Sequence, residues 1–316
     1  MRWRLTDGPP TGQAPDSAGP MPRPFEPAVD CPTSLAEAYS LLEPSADGRV
    51  RPIAGGTDLM VQITGELGEP PERVVDLWRL DELRGIREDG DALVLGALTT
   101  YTELRRSPLI AGHLPVLAEV AATIGAAQIQ NRGTLGGNIA NASPAGDTLP
   151  LLLAADAEIV LGGPRGERSV PASEFFPAYR RTARADDELV LRVRIPLRAD
   201  RQVRFRKVGT RRAQAISKVV VALSWSTDGG VGSTASARSW THVRLALGSV
   251  APTPIRALKT EAALEGAIPT REVGDLAAAT LEDEIQPIDD VRSTADYRRA
   301  VAGRVLHRLI RDEGEW

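Results

Sequence analysis

The sequence predicts an α+β fold in two parts. Three observations predict it. Up to about residue 200, short strand-like apolar runs mix with amphipathic helical segments. After residue 200 come three strand-like segments, 203–209, 217–226 and 242–250, which read as a small three-stranded antiparallel sheet. From residue 255 onward only helical periodicity remains, over about 255–265, 270–283 and 294–311.

Taken in order, residues 1–24 are rich in Pro and Gly and read as a disordered N-terminal extension, with Met21 as a possible second start. A first domain is expected over 25–200 and a second over 201–316. "TSLAEAYSLL" (33–42) reads as a helix with a capping box from Ser34 and Glu37. "RVRPIAGGTDLM" (49–60) reads as strand, Gly turn and helix start, and "RVVDLW" (73–78) as a short strand. "ALVLGALT" (92–99) is a strand, followed by a second capping box at Thr100 and Glu103. A helix over 114–125 ends at Gly125, residues 148–163 read as helix then strand, and 188–196 as a strand closed by Pro196. In the last helix Tyr297, Val301, Val305 and Leu309 form one apolar stripe.

Composition narrows the function classes. The chain of 316 residues is 42% hydrophobic and 25% charged, enough for two or three packed cores. No apolar run approaches the ~18 residues a membrane span needs, and the N-terminus lacks the shape of a signal peptide, so the cytoplasm is the expected compartment. The single cysteine, Cys31, excludes an intrachain disulfide and an all-cysteine metal site built by this chain alone. The three histidines are far apart and show no ligand spacing. A net charge of −4 gives no general attraction to nucleic acid; the basic runs "YRRTAR" (179–184) and "RFRKVGTRR" (204–212) read as solvated strand edges or protein interfaces.

Two glycine-rich segments carry the chemistry. In "IAGGTDL" (53–59) a strand breaks at Gly55-Gly56 ahead of Thr57 and Asp58. This is either a tight turn or a backbone that must approach an anion, with Thr57 adding a hydroxyl. The second, "NRGTLGGNIANASPAGD" (131–147), shows no apolar period and reads as a long small-sided loop, functional or an ordered Ω-loop. Thr134, Asn138, Asn141 and Ser143 offer neutral hydrogen bonds, and Asp147 a carboxylate suited to ribose-like hydroxyls. Together the segments suggest a long, anionic, hydroxyl-rich ligand, which a dinucleotide satisfies. "GVGSTA" (230–235) matches a dinucleotide fingerprint formally, but no apolar helix follows it, so a hairpin loop is expected. No nucleophile–base pairing or metal-ligand spacing is evident, so a cofactor would carry any reaction.

"IAGGTDLM" and "TLGGNIANASPAGD" together resemble the FAD-binding medium subunit of molybdenum hydroxylases, the family of xanthine dehydrogenase and carbon monoxide dehydrogenase. "EFFPAYRRTARADDELVLRVRIP" (174–196), "RFRKVGTRRAQAISKVVVAL" (204–223) and "DDVRSTADYRRAVAGRVLHRL" (289–309) also resemble family stretches, in the family's order. The resemblance runs from about Phe25 to Leu309, and the third and fourth segments lean toward the xanthine dehydrogenase type. It implies an FAD domain of the PCMH type, two α+β subdomains with the flavin between them, and a C-terminal flavoprotein domain. It places Ile53, Ala54, Gly55, Gly56, Thr57, Asp58 and Leu59 on the FAD diphosphate. Thr134, Gly136, Gly137 and Asn138 fall near phosphates and ribityl, and Asp147 aligns with an acidic FAD contact. Ile124 and Val190 match apolar flavin neighbours, and Lys207 a lysine that some members hold near the flavin. Gly146 stands where a small hydroxyl residue is more usual. The variant with an inserted iron–sulfur loop is ruled out by the single cysteine.

The resemblance further implies an oxidoreductase subunit that transfers electrons. A large molybdopterin subunit would oxidise the substrate, a small subunit with two 2Fe–2S clusters would relay electrons, and FAD on this chain would pass them to NAD or another acceptor. A dimer of heterotrimers is the implied assembly. The alternatives are a self-sufficient flavin oxidase and a non-catalytic scaffold.

Overall fold

The computed structural model describes residues 26–43, 49–65, 69–211, 214–228 and 238–316. Residues 1–24, expected to be a disordered extension, and "GVGSTA" (230–235), expected to be a hairpin loop, lie outside the described residues.

The first subdomain is a parallel three-stranded sheet. Strands β1 (Ala28–Asp30) and β2 (Val50–Ile53) flank β3 (Arg73–Asp76). Between them run helices α1 (Leu35–Leu42) and α2 (Leu59–Thr64). Parallel pairing needs such crossovers, and Ala38 and Leu42 of α1 pack with Val75, Leu77 and Leu80. The Ser34 hydroxyl caps α1 by accepting from the Glu37 amide at 3.2 Å. The return arm of the expected box is displaced by one residue: Glu37 accepts from the amide and hydroxyl of Thr33, not from Ser34.

The second subdomain is an antiparallel sheet of five strands, in the order β4 (Ile86–Asp89), β5 (Ala92–Gly96), β8 (Leu189–Pro196), β6 (Glu158–Gly163) and β7 (Gly166–Pro171). Six helices sit between β5 and β6: α3 (Tyr101–Arg106), α4 (Pro108–His113), α5 (Pro115–Ala122), α6 (Ala127–Arg132), α7 (Leu135–Asn141) and α8 (Thr148–Ala154). The capping box at Thr100 is complete. The helix expected over 114–125 ends at Ala122, and Gly125 turns the chain in the left-handed region at φ +52°.

The C-terminal sheet has four strands, not the three expected: β12 (Ile255–Arg256), β11 (Trp240–Gly248), β10 (Ser217–Thr227) and β9 (Gln202–Gly209). Strand β12 is only two residues long, too short for periodicity to show, and its residues had been read as a helix start. Helix α9 begins at Leu258 and runs to Leu264, followed by α10 (Arg271–Glu284) and α11 (Ala295–Gly314).

Strand β10 is buried on both faces. Val219, Val221, Leu223 and Trp225 pack toward α10 and α11, while Val220 and Ala222 join the core of the second subdomain. The Ser224 hydroxyl donates to the carbonyl of Ala154 at 2.6 Å. A strand buried this way reads as a continuous apolar run, which "KVVVALSW" is. The α11 stripe is also corrected. A four-residue step advances 400°, so a ladder of such steps drifts around the helix. Tyr297 is 43% exposed, Val301 and Val305 are half-buried against the core, and the fully buried face is Ala302, Leu306, Leu309 and Ile310 with Arg298.

Candidate functional site

A cleft of about 610 Å³ separates the two N-terminal subdomains, within the size range of small-molecule sites. Its first wall is the turn after β2 and the start of α2; its second is formed by the β5–α3 corner, α7 and the chain leading into β8. The two glycine segments therefore face each other, although several strands and helices separate Gly55 from Gly133 in the chain.

Glycine is required where they meet. A Cβ on Gly55 would stand 1.8 Å from the carbonyl oxygen of Arg132, so the two backbones are in direct contact. Gly56 takes φ +76°, a region costly for residues with a Cβ. A Cβ on Gly136 would come 2.6 Å from the Ala97 side chain. Across the same seam the Arg132 guanidinium lies 3.7 Å from the centre of the Trp78 ring, and Arg84 lies 4.7 Å from it, tying the subdomains through cation–π contacts.

The backbone amides of the two segments differ. Those of Gly55, Gly56, Thr57 and Asp58 donate to no acceptor among the described residues. Those at the start of α7 are all satisfied by the chain itself. Leu135 donates to Thr99 O at 2.9 Å, Gly136 to Ala97 O at 2.8 Å, Gly137 to Thr134 Oγ1 at 3.1 Å and Asn138 to Thr134 O at 3.0 Å. Only the first segment is thus an open row of donors of the kind that holds a phosphate. The second contributes surface and side chains: the Thr134 hydroxyl, which accepts from Gly137 and keeps its own proton to donate, and Asn138, whose Oδ1 is held by Thr148.

The expected long loop over 131–147 is corrected by the same geometry. Residues 135–141 are helical, with Leu135 and Ile139 buried one turn apart. The two glycines concealed the helix, since their intrinsic helix propensity is low; the cap at Thr134 and the buried pair offset that. Ala142, at φ 47°, ends it.

Of the site residues expected from the sequence, Ile53 to Leu59, Thr134, Gly136, Gly137, Asn138 and Val190 line the cleft. Ile124, Asp147 and Lys207 do not; they form a separate group behind it. Lys207 Nζ donates to Asp147 Oδ2 at 2.6 Å and to the carbonyl of Thr123, the neighbour of Ile124, at 3.1 Å. Asp147 is buried, and its Oδ1 has no hydrogen-bond partner among the described residues. Burial pushes the Asp147 carboxyl above its ordinary range, against the pull of Lys207.

Sequence reasoning missed Tyr101 and the arginines at the mouth. Arg180, Arg181 and Arg184 of "YRRTAR" line the cleft, where a solvated strand edge or a protein interface had been expected. Arg184 Nη1 donates to the carbonyls of Ala185, Asp186 and Glu188, shaping the turn before β8, and Arg180 donates to Asn141 Oδ1 at 3.0 Å. The signal was an unassigned local excess of positive charge, which matches an anionic ligand. Open amides, a seam without room for Cβ atoms and arginines at the mouth together fit FAD.

Comparison with known proteins agrees. Residues 24–198 match the FAD binding domain in molybdopterin dehydrogenase, and residues 204–312 match the CO dehydrogenase flavoprotein C-terminal domain. The chain is 36% identical over 281 residues to the carbon monoxide dehydrogenase medium chain of Hydrogenophaga pseudoflava, covering 88% of this chain and 94% of that one. It is 30% identical over 281 residues to the xanthine dehydrogenase FAD-binding subunit of Escherichia coli O157:H7, covering 88% and 92%. Over the aligned span the likeness is thus greater to the carbon monoxide type, whereas the lean toward the xanthine type rested on two segments. The solved carbon monoxide dehydrogenase of Hydrogenophaga pseudoflava that lacks the Mo-pyranopterin moiety superposes with a TM-score of 0.83 at 35% identity, covering 90% of this chain and 96% of that one. The chain belongs to the family of FAD-binding medium subunits of molybdenum hydroxylases, which includes the carbon monoxide and xanthine dehydrogenases.

Proposed function

We propose that the cleft holds FAD with its diphosphate on the Gly55–Asp58 turn, and that the chain passes electrons from 2Fe–2S clusters of a small partner subunit to NAD or another acceptor. The observation that carries the reading is the row of four amides, unpaired among the described residues, on a turn that lines a cleft where glycine is obligatory. FAD, when bound, supplies the redox chemistry. The chain's own task is to bind and orient. Gly55 to Asp58 offer N–H groups and Thr57 a hydroxyl to the phosphates. Thr134 offers a hydroxyl from the opposite wall, and Val190 an apolar surface. Asp147 and Lys207, paired behind the cleft, brace its rear wall rather than line it.

The large partner would carry molybdopterin and act on the substrate, within a dimer of heterotrimers. The absorption spectrum of the purified chain, with release and identification of the bound cofactor, tests the reading. Oxidised flavin bands with FAD released are expected. A chain that stays colourless with added FAD and in the co-expressed complex would overturn it.

A further inference from the structure

Tyr101 opens α3 and is the aromatic residue set into the seam between the two glycine segments. Its amide donates to the carbonyl of Gly133 at 3.3 Å. Its ring fills the space a side chain at residue 133 would need: a Cβ on Gly133 would stand 3.0 Å from Cε2 and 3.3 Å from Cδ2. Gly133 follows Arg132, on whose carbonyl Gly55 packs, so Tyr101 stands one residue's width from the turn with the open amides.

The ring is 3% exposed, and Tyr101 lines the cleft. The hydroxyl has no hydrogen-bond partner among the described residues. A buried phenol normally finds one, because an unmade hydrogen bond in a dry site is costly. Here no described residue takes that place, and the cleft that Tyr101 lines is where a partner can come from. Burial, and then the nearby carboxylates of Asp58 and Asp147, push the phenol well above its ordinary range, so it stays a neutral proton donor. A donor that cannot ionise and faces an anion site has one obvious kind of partner.

We infer that the Tyr101 hydroxyl donates a hydrogen bond to the diphosphate of the bound FAD, making it a positioning residue of the cleft. The inference rests on the reading of the cleft as the FAD site. It explains why an aromatic residue occupies a seam built otherwise from glycine: the ring braces Gly133 and carries the hydroxyl to the ligand.

The test is Tyr101→Phe in the full chain, which removes the hydroxyl and keeps the ring. Flavin-free wild type and variant are titrated with FAD, and the 31P resonances of bound FAD are recorded for both. Loss of one hydrogen bond to a charged group predicts about tenfold weaker binding, with at least one phosphate resonance displaced. The melting temperature of the flavin-free chain should not fall, because the hydroxyl bonds nothing among the described residues. Equal FAD affinity in the two chains would overturn the inference and leave the proposed function standing. Weaker binding with both phosphate resonances unmoved would also overturn it. Wild type that takes up no FAD would overturn both readings.

Discussion

Gly55 shows how closely one residue can be specified by its surroundings. A Cβ there would stand 1.8 Å from the Arg132 carbonyl oxygen, and no rotamer can relieve a clash between backbones. Gly55→Ala is expected to destabilise the chain by about 1–3 kcal/mol and to abolish FAD retention, read from the melting temperature and the flavin absorbance of the purified variant. Gly56→Ala is milder: its Cβ would meet only the side chains of Ile53 and Met60 at 3.4 Å, leaving a left-handed φ as the strain. A Gly55→Ala chain that melts with wild type and holds flavin would contradict this geometry. Asp147 and Lys207 show the complementary case, in which distant residues become one unit: a buried ion pair 2.6 Å long joins a position after α7 to a strand of the C-terminal sheet.

At the scale of elements, the turn leading into β8 is stabilised by charge rather than by apolar burial. Arg168 donates to both oxygens of Glu188 at 2.7–2.8 Å, and the Ala185 amide donates to the same carboxylate at 2.8 Å. The bond from Arg168, with the Ala185 amide, holds the Glu188 carboxyl down at about 2, from an ordinary 4.5. A carboxyl depressed in the folded state contributes stability that is fully present above its ordinary value and is lost as pH falls toward the folded value. Glu188→Gln should therefore lower the melting temperature at pH 7, and the gap to wild type should narrow between pH 4.5 and pH 2. A gap that does not change across that window would show that the carboxylate is not held this way. The cleft depends on this turn, since Arg184 shapes it from the cleft side and Val190 follows two residues after Glu188.

At the scale of the whole molecule, the chain boundary near residue 200 does not divide the interior. Phe205, Val220, Ala222 and Ala246 from the C-terminal sheet belong to the same buried cluster as Leu117, Val120 and Leu151 from the helices of the second subdomain. Buried contact of this kind couples the stability of the two parts. Calorimetry on the full chain should show a single cooperative transition, and two resolved transitions would mean that this shared core does not couple them. Among the described residues no helix is long and apolar enough to cross a membrane, and no group of three His, Cys, Asp or Glu side chains could hold a metal ion.

The sequence by itself determined most of the local structure. Capping residues, Gly and Pro breaks and apolar periodicity placed the longer strands and helices within a few residues, because those signals act within one turn or one pleat, while short elements such as β1, β4, β7, α4 and α6 went unread. It also supplied the glycine segments and the family resemblance that pointed to FAD. What failed was whatever depended on neighbours distant in the chain. The glycine helix Leu135–Asn141 exists because Leu135 and Ile139 find a core, and β12 because β11 lies beside it. Only the tertiary structure decided that the first glycine segment gives its amides to no acceptor among the described residues while the second uses its own on Thr99, Ala97 and Thr134. It alone placed Tyr101 in the seam and drew Asp147 and Lys207 out of the cleft lining into a pair. Hydrogen-bond partners across 30 or 60 residues are chosen by packing, and no local pattern encodes them.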